Sequence, residues 1–235
     1  MSTFVLVHGS FHGGWCWDAV VARLTAAGHR VLAPDLPGRG SDARPLFALT
    51  LDDYATAIAG VVAAQPEPVV LVGHSMGGVV ITSVAERVPE RLERLVYVCA
   101  FLPANGQSLL DLATSDKESV LLRNLVIEAA AGTHHVRPEG ARESFYHDCS
   151  DADADAATKR LVAEPLAVVA TPVATSAARF GRVPRSYVEC TDDRAVGPSL
   201  QRRMHGAQPC RVSSIASGHS PFLARPDELT RALLD

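Results

Sequence analysis

The sequence predicts an α/β protein built on a mostly parallel, doubly wound sheet with an inserted helical cap, and three observations carry that prediction. Short apolar, β-rich runs alternate with helical patterns. The runs are continuously apolar, as strands covered on both faces must be, whereas half-exposed strands would alternate. The alternation stops after Pro103 and resumes near residue 181.

The elements follow in order. "TFVLVH" reads as a first strand and is followed by a helix from about Asp18 to Ala27. "HRVLAPD" precedes a helix near Leu51 to Ala64, "PVVLVGH" one near Met76 to Arg87, and "LERLVYVCAF" closes the first series. Residues from about 104 to 180 show helical patterns and no convincing buried strand, with punctuation at Gly132, Pro138, Gly140, Pro165 and Pro172. Within this stretch "SDADADAATKRLVAEP" lacks the turn glycine and distal glutamate of a calcium loop. It reads as a helix capped by Ser150 and ended by Pro165. The adjacent histidines of "THHVRPEG" cannot share one helical face, so this segment reads as a surface loop. Strand and helix then resume with "RSYVECT", a helix near Pro198 to His205, "CRVSSIA", and a last helix from about Pro226. The expected organisation is one domain over 1–235, with a core of 1–103 and 181–235 and a cap at about 104–180.

Composition narrows the function. The chain has 235 residues, 47% hydrophobic and 20% charged, enough for one sizeable core. A net charge of -4 and a pI near 6.1 provide no basic field for nucleic acid and nothing that favours an anionic membrane surface. No basic region precedes the first apolar run and no stretch reaches the length of a spanning helix, so a soluble, cytoplasmic protein is expected. The cysteines, Cys16, Cys99, Cys149, Cys190 and Cys210, are scattered and contain no Cys-x-x-Cys pair; free, mostly buried thiols and no zinc site are expected.

The chemistry centres on "VGHSMGG". Gly73-x-Ser75-x-Gly77 sits where a strand passes into a helix, the context in which small neighbours permit a tight turn that presents a nucleophile. The following helix contributes its N-terminal dipole and the Met76 backbone N–H to an oxyanion. A serine hydroxyl needs a histidine to take its proton, and that histidine needs an acid to fix its tautomer. "SYVECTDDRAV" places Asp192 and Asp193 just beyond a strand, and "SSIASGHSPFLARP" places His219 in a loop after the last one. The loop "HGSFHGGWCW" after the first strand supplies the second oxyanion donor, with the N–H of Ser10 the first candidate and that of Phe11 the next.

With these residues in place the sequence resembles the α/β-hydrolase superfamily, and within it the group of plant methylesterases and hydroxynitrile lyases. The matching blocks run nearly end to end: "FVLVHGSFHGGWCW", "AAGHRVLAPDLPGRG", "VVLVGHSMGG", "CAFLP", "FYHDCS", "YVECTDDRAV" and the "GH" loop. The resemblance implies Ser75 as nucleophile, His219 as base, Asp193 in preference to Asp192 as acid, and Ser10 and Met76 as backbone oxyanion donors. It also implies a helical cap over a pocket that includes Gly9, Phe11 and Phe101. Lyases of the group carry a threonine where this chain has Gly9 and a lysine where it has Ser220, so ester hydrolysis is favoured. The expected activity is that of a serine carboxylesterase on small aryl, short-chain or methyl esters, working through an acyl-enzyme with no metal or organic cofactor. The cap's "LLRNLVIEAAAG" suggests an apolar lid. A hydroxynitrile lyase or C–C hydrolase on the same triad, and a slow-turnover small-molecule receptor, are the alternatives. The small-molecule ester is the expected partner, and a homodimer is compatible with the sequence.

Overall fold

Strands form here where alternate side chains can enter two separate cores. In a computed structural model that describes Met1–Asp235, β1 (Thr3–Val7) sends Phe4 and Leu6 into one apolar cluster and Val5 and Val7 into another. Such a strand must be covered on both faces. The chain continues through α1 (Asp18–Ala26), β2 (Arg30–Leu32), α2 (Leu51–Ala63), β3 (Val69–His74), α3 (Gly77–Arg87) and β4 (Leu92–Val98). Thr50 starts α2 with a reciprocal cap, accepting the Asp53 N–H while the Asp53 carboxylate accepts the Thr50 N–H.

Between β4 and the next strand of the sheet the chain forms α4 (Leu109–Thr114), β5 (Leu125–Glu128), β6 (Thr133–Val136), α5 (Pro138–Phe145), α6 (Asp151–Thr158), β7 (Glu164–Pro165) and α7 (Leu166–Ala170). It then returns to the sheet with β8 (Arg185–Cys190), α8 (Pro198–Ala207), β9 (Arg211–Ile215), α9 (Pro221–Ala224) and α10 (Pro226–Leu234). The main sheet is ordered β2-β1-β3-β4-β8-β9 and every neighbouring pair is parallel. From β1 the chain steps outward to β2, then crosses back to β3. That reversal opens a crevice at the carboxyl ends of β1 and β3. Helices α2, α3 and α8 pack on one face, through residues such as Ile58, Val80 and Leu200; α1 and α10 pack on the other, through Leu24 and Leu229. All five cysteines are free, and no helix is long and apolar enough to cross a membrane.

The insertion departs from the sequence expectation in three ways. It is not purely helical, because β5, β6 and β7 form a three-stranded antiparallel sheet that turns at Gly132 (φ +61°). The histidine pair lies in β6 and not in a surface loop; the two-residue repeat of a strand sends His134 inward and leaves His135 partly exposed. Ser150 does cap α6, accepting the Asp153 N–H at 3.1 Å, but the helix ends at Thr158. Pro165 belongs to β7, where the chain has already become extended to pair with β6.

Candidate active site

The turn from β3 into α3 is made with almost no room to spare. A Cβ at Gly73 would lie 2.6 Å from the Gly77 carbonyl oxygen, and one at Gly77 would lie 2.7 Å from that of Val7. Strand and helix therefore approach closely only because both positions are glycine. Between them Ser75 takes φ +53°, in the left-handed region that a side chain rarely occupies, and its carbonyl accepts from Gly78 and Phe101. The Met76 N–H stands at the start of α3 and donates to no group in the chain, while its side chain packs in the core.

The loop after β1 faces this turn. Ser10 N–H, like that of Met76, has no partner within the chain. Phe11 N–H does have one: it donates to Glu164 Oε2 at 3.1 Å, while the Phe11 carbonyl accepts from Val162 N–H at 3.0 Å. Of the two candidate donors in the loop, Ser10 is thus the one left free. Phe11 itself is at φ +67°, held from both sides by the cap segment 162–164. Glu164 is completely buried and also receives Arg39 at 2.7 Å and the Tyr54 hydroxyl at 2.7 Å. Burial pushes its carboxyl up, and Arg39, Tyr54 and Phe11 push back.

His219 lies after β9, buried, with Nδ1 2.8 Å from Asp193 Oδ2. Asp193 is fixed in turn by the N–H groups of Ala195 (2.7 Å) and Val196 (2.9 Å) and by the Gln201 amide. Asp192 is exposed and makes no contact with the ring. The loop carrying His219 is anchored by Asp148, which accepts from Ser217 and Gly218, and by His74 Nε2, 2.8 Å from the His219 carbonyl.

Two more buried histidines shape the loop after β1. His8 Nδ1 donates to the Gly9 carbonyl, and its Nε2 accepts the Leu36 N–H at 3.1 Å. His12 Nδ1 donates to the Ser10 carbonyl, and its Nε2 accepts from the Tyr146 hydroxyl at 2.7 Å. The His8 pattern requires a neutral ring, because a backbone N–H can only donate. Desolvation agrees, pushing His8 down to about 3, His12 to about 4 and His74 well below its ordinary value. His74, Cys99 and His219 bring potential ligand atoms within 4.8 Å of one another. As a metal set they are otherwise engaged: His74 Nε2 and the Cys99 thiol serve the His219 carbonyl, His219 Nδ1 serves Asp193, and burial holds the thiol protonated.

Ser75 and His219 open onto one cavity of about 370 Å³, with Ser10, Phe11 and Phe101 in its wall. Leu121, Leu122, Leu125 and Ile127 from the apolar stretch of the cap cover it, as the sequence suggested. Gly9 is not in the wall. It packs behind the serine, where a Cβ would lie 2.7 Å from Ser75 Cβ and 2.9 Å from His74 Nδ1. Sequence reasoning also missed Arg39, Tyr54, Glu164 and His134, which lines the cavity. Only the turn glycine before "THHV" hinted at the strand that carries the last of them.

Comparison with known proteins gives a consistent picture. A model of the alpha/beta hydrolase family matches residues 4–232. Methylesterase 7 of Arabidopsis thaliana is 30% identical over 253 aligned residues, covering 99% of this chain and 95% of that protein. A carbendazim hydrolyzing esterase of Nocardioides sp. (strain SG-4G) is 46% identical over 114 residues, 48% of this chain and 47% of that one. The crystal structure of a pyrethroid hydrolase from Sphingobium faniae JZ-2 superimposes with a TM-score of 0.89 at 28% identity, covering 100% of this chain and 96% of that one.

Proposed function

The chain belongs to the alpha/beta hydrolase family, and from that premise we propose that it is a serine carboxylesterase acting on small carboxylic esters, aryl, short-chain or methyl. The observation that carries the reading is the 2.8 Å contact of His219 with Asp193, on the same cavity as a serine held at φ +53°. Relatives named methylesterase, carbendazim hydrolyzing esterase and pyrethroid hydrolase support ester chemistry.

The steps follow from the donors and acceptors. Asp193 holds the Nδ1–H tautomer of His219, which leaves Nε2 to take the Ser75 proton as the oxygen attacks the ester carbonyl. The oxyanion of the tetrahedral intermediate accepts from the N–H groups of Ser10 and Met76, which lack other partners. Collapse breaks the bond to the leaving alkoxide, which receives the proton from His219. Water, deprotonated by His219, then attacks the acyl-serine; the acid leaves and Ser75 regains its proton. The sequence calls for no metal or organic cofactor.

Two features favour hydrolysis over cyanohydrin cleavage. A threonine at position 9 would collide with Ser75, and position 220 holds a buried serine with no ammonium to offset a developing cyanide charge. Steady-state hydrolysis of p-nitrophenyl acetate tests the proposal. Turnover by the wild type and none by a folded Ser75→Ala is expected; undiminished turnover in Ser75→Ala, or cyanide release from mandelonitrile in place of esterase activity, would refute it.

A further inference from the structure

Beyond Ser10, Ser75 and His219, only two polar side chains line the cavity, Ser119 and His134; the other lining residues are apolar and none is charged. Ser119 is committed, since its hydroxyl donates to the Ala195 carbonyl at 2.8 Å and accepts the Leu121 N–H at 3.2 Å. His134 is not fully engaged: it is 4% exposed, and although the Glu164 backbone lies beside the ring, its buried Nδ1 makes no hydrogen bond of normal geometry.

The position is built with care for a group that would serve no purpose. Pairing of β6 with Ile127 on one side and Glu164 on the other fixes the His134 backbone. Its ring meets Phe11 edge to face, centroids 5.2 Å apart, beside the loop that carries Ser10. A buried polar group without a partner is costly, and leucine or phenylalanine would fill the same space without that cost. Desolvation pushes the ring down to about 4, so at neutral pH it is an uncharged imidazole able both to donate and to accept.

We propose that His134 is a specificity-determining residue, its imidazole hydrogen-bonding one polar atom in the part of the substrate that faces the cap. The inference rests on the esterase reading and sharpens it. The substrates are uncharged, lipophilic carboxylic esters that carry one hydrogen-bonding group, such as an ether oxygen or a second carbonyl, apart from the scissile ester. A charged substituent would meet no counter-charge in the wall, and an all-carbon chain would leave the imidazole unpaired.

The test uses matched p-nitrophenyl and alkyl esters in which an ether oxygen replaces one methylene, walked along the acyl chain and separately along the alcohol chain. The readout is the ratio of kcat/KM for each oxa ester to that of its all-carbon partner, in wild type, His134→Phe and His134→Gln. For at least one oxygen position the wild-type ratio should exceed that of His134→Phe by about tenfold, the worth of one good hydrogen bond. His134→Phe should lose more of its kcat/KM on the oxa ester than on the all-carbon ester, and His134→Gln should restore part of the preference. Ratios unchanged in His134→Phe, or no preferred oxygen position in the wild type, would overturn the proposal. Turnover of p-nitrophenyl acetate that depends on Ser75 reports the esterase reading separately. Should it fail, calorimetric affinities of the same ester pairs for Ser75→Ala and for Ser75→Ala/His134→Phe still decide the role of His134. Circular dichroism of each variant distinguishes loss of preference from loss of fold.

Discussion

Lowering the pH from 8 to 5 is expected to remove about 4 kcal/mol of folding stability through His8 and His12 alone. Each ring uses one nitrogen to donate to the loop after β1 and the other to accept, from Leu36 N–H or from the Tyr146 hydroxyl. Protonation would set His8 Nε2–H against the Leu36 N–H and force the Tyr146 hydroxyl to turn away from His12. The folded values, about 3 and about 4, lie below the ordinary 6.5 that the unfolded chain regains. The contribution is therefore whole above about pH 6.5 and shrinks as the pH falls, by about 1.4 kcal/mol per unit for each ring. Over the 1.5 units from 6.5 to 5, two rings give about 4 kcal/mol, against a typical total of 5–15. His74 and His134, also pushed down by burial, add to the loss, and Glu164, pushed up, opposes it. Urea melts followed by tryptophan fluorescence at pH 8, 6.5 and 5 measure the effect. Midpoints that stay constant from pH 8 to 5 would refute the assignment of neutral, buried rings.

Two further outcomes follow from the contacts of the site. Glu164→Gln leaves Arg39 buried without its counter-charge and weakens the hold on Phe11, so denaturant melts should show a loss of about 3–5 kcal/mol. If the loop after β1 holds the oxyanion as proposed, the variant's kcat on p-nitrophenyl acetate should fall more than its KM rises, since that contact is made in the transition state. Asp193→Asn should lower kcat by about 10⁴, the effect of presenting the histidine in the wrong tautomer, whereas Asp192→Asn, altering an exposed carboxylate, should change it less than about twofold. Equal residual activity in the two variants would sink the choice of acid.

The core was legible because its signals are local. All six strands of the main sheet lie within the apolar runs, and α1, α2 and α10 begin where the sequence places them. That Ser75, His219 and the pair containing Asp193 stand just beyond strand ends was legible for the same reason, since each lies in a short, recognisable local context. The cap was harder. Strands of two and four residues, such as Glu164–Pro165 and "THHV", carry too little periodicity to stand out from loops. His134 is buried by Phe11 and by the opposing strands, which lie far from it in sequence or across a turn. The Glu164 cluster joins residues separated by 110 to 153 positions, and no local pattern encodes it.

The central claim is that Ser75 is a nucleophile activated by His219. Its most direct test is the rate and site of phosphonylation by a fluorophosphonate probe, read by intact-protein and peptide mass spectrometry. The account predicts one adduct per chain, on Ser75, forming orders of magnitude more slowly in His219→Ala. An adduct on another residue, or a rate that His219→Ala leaves unchanged, would contradict it.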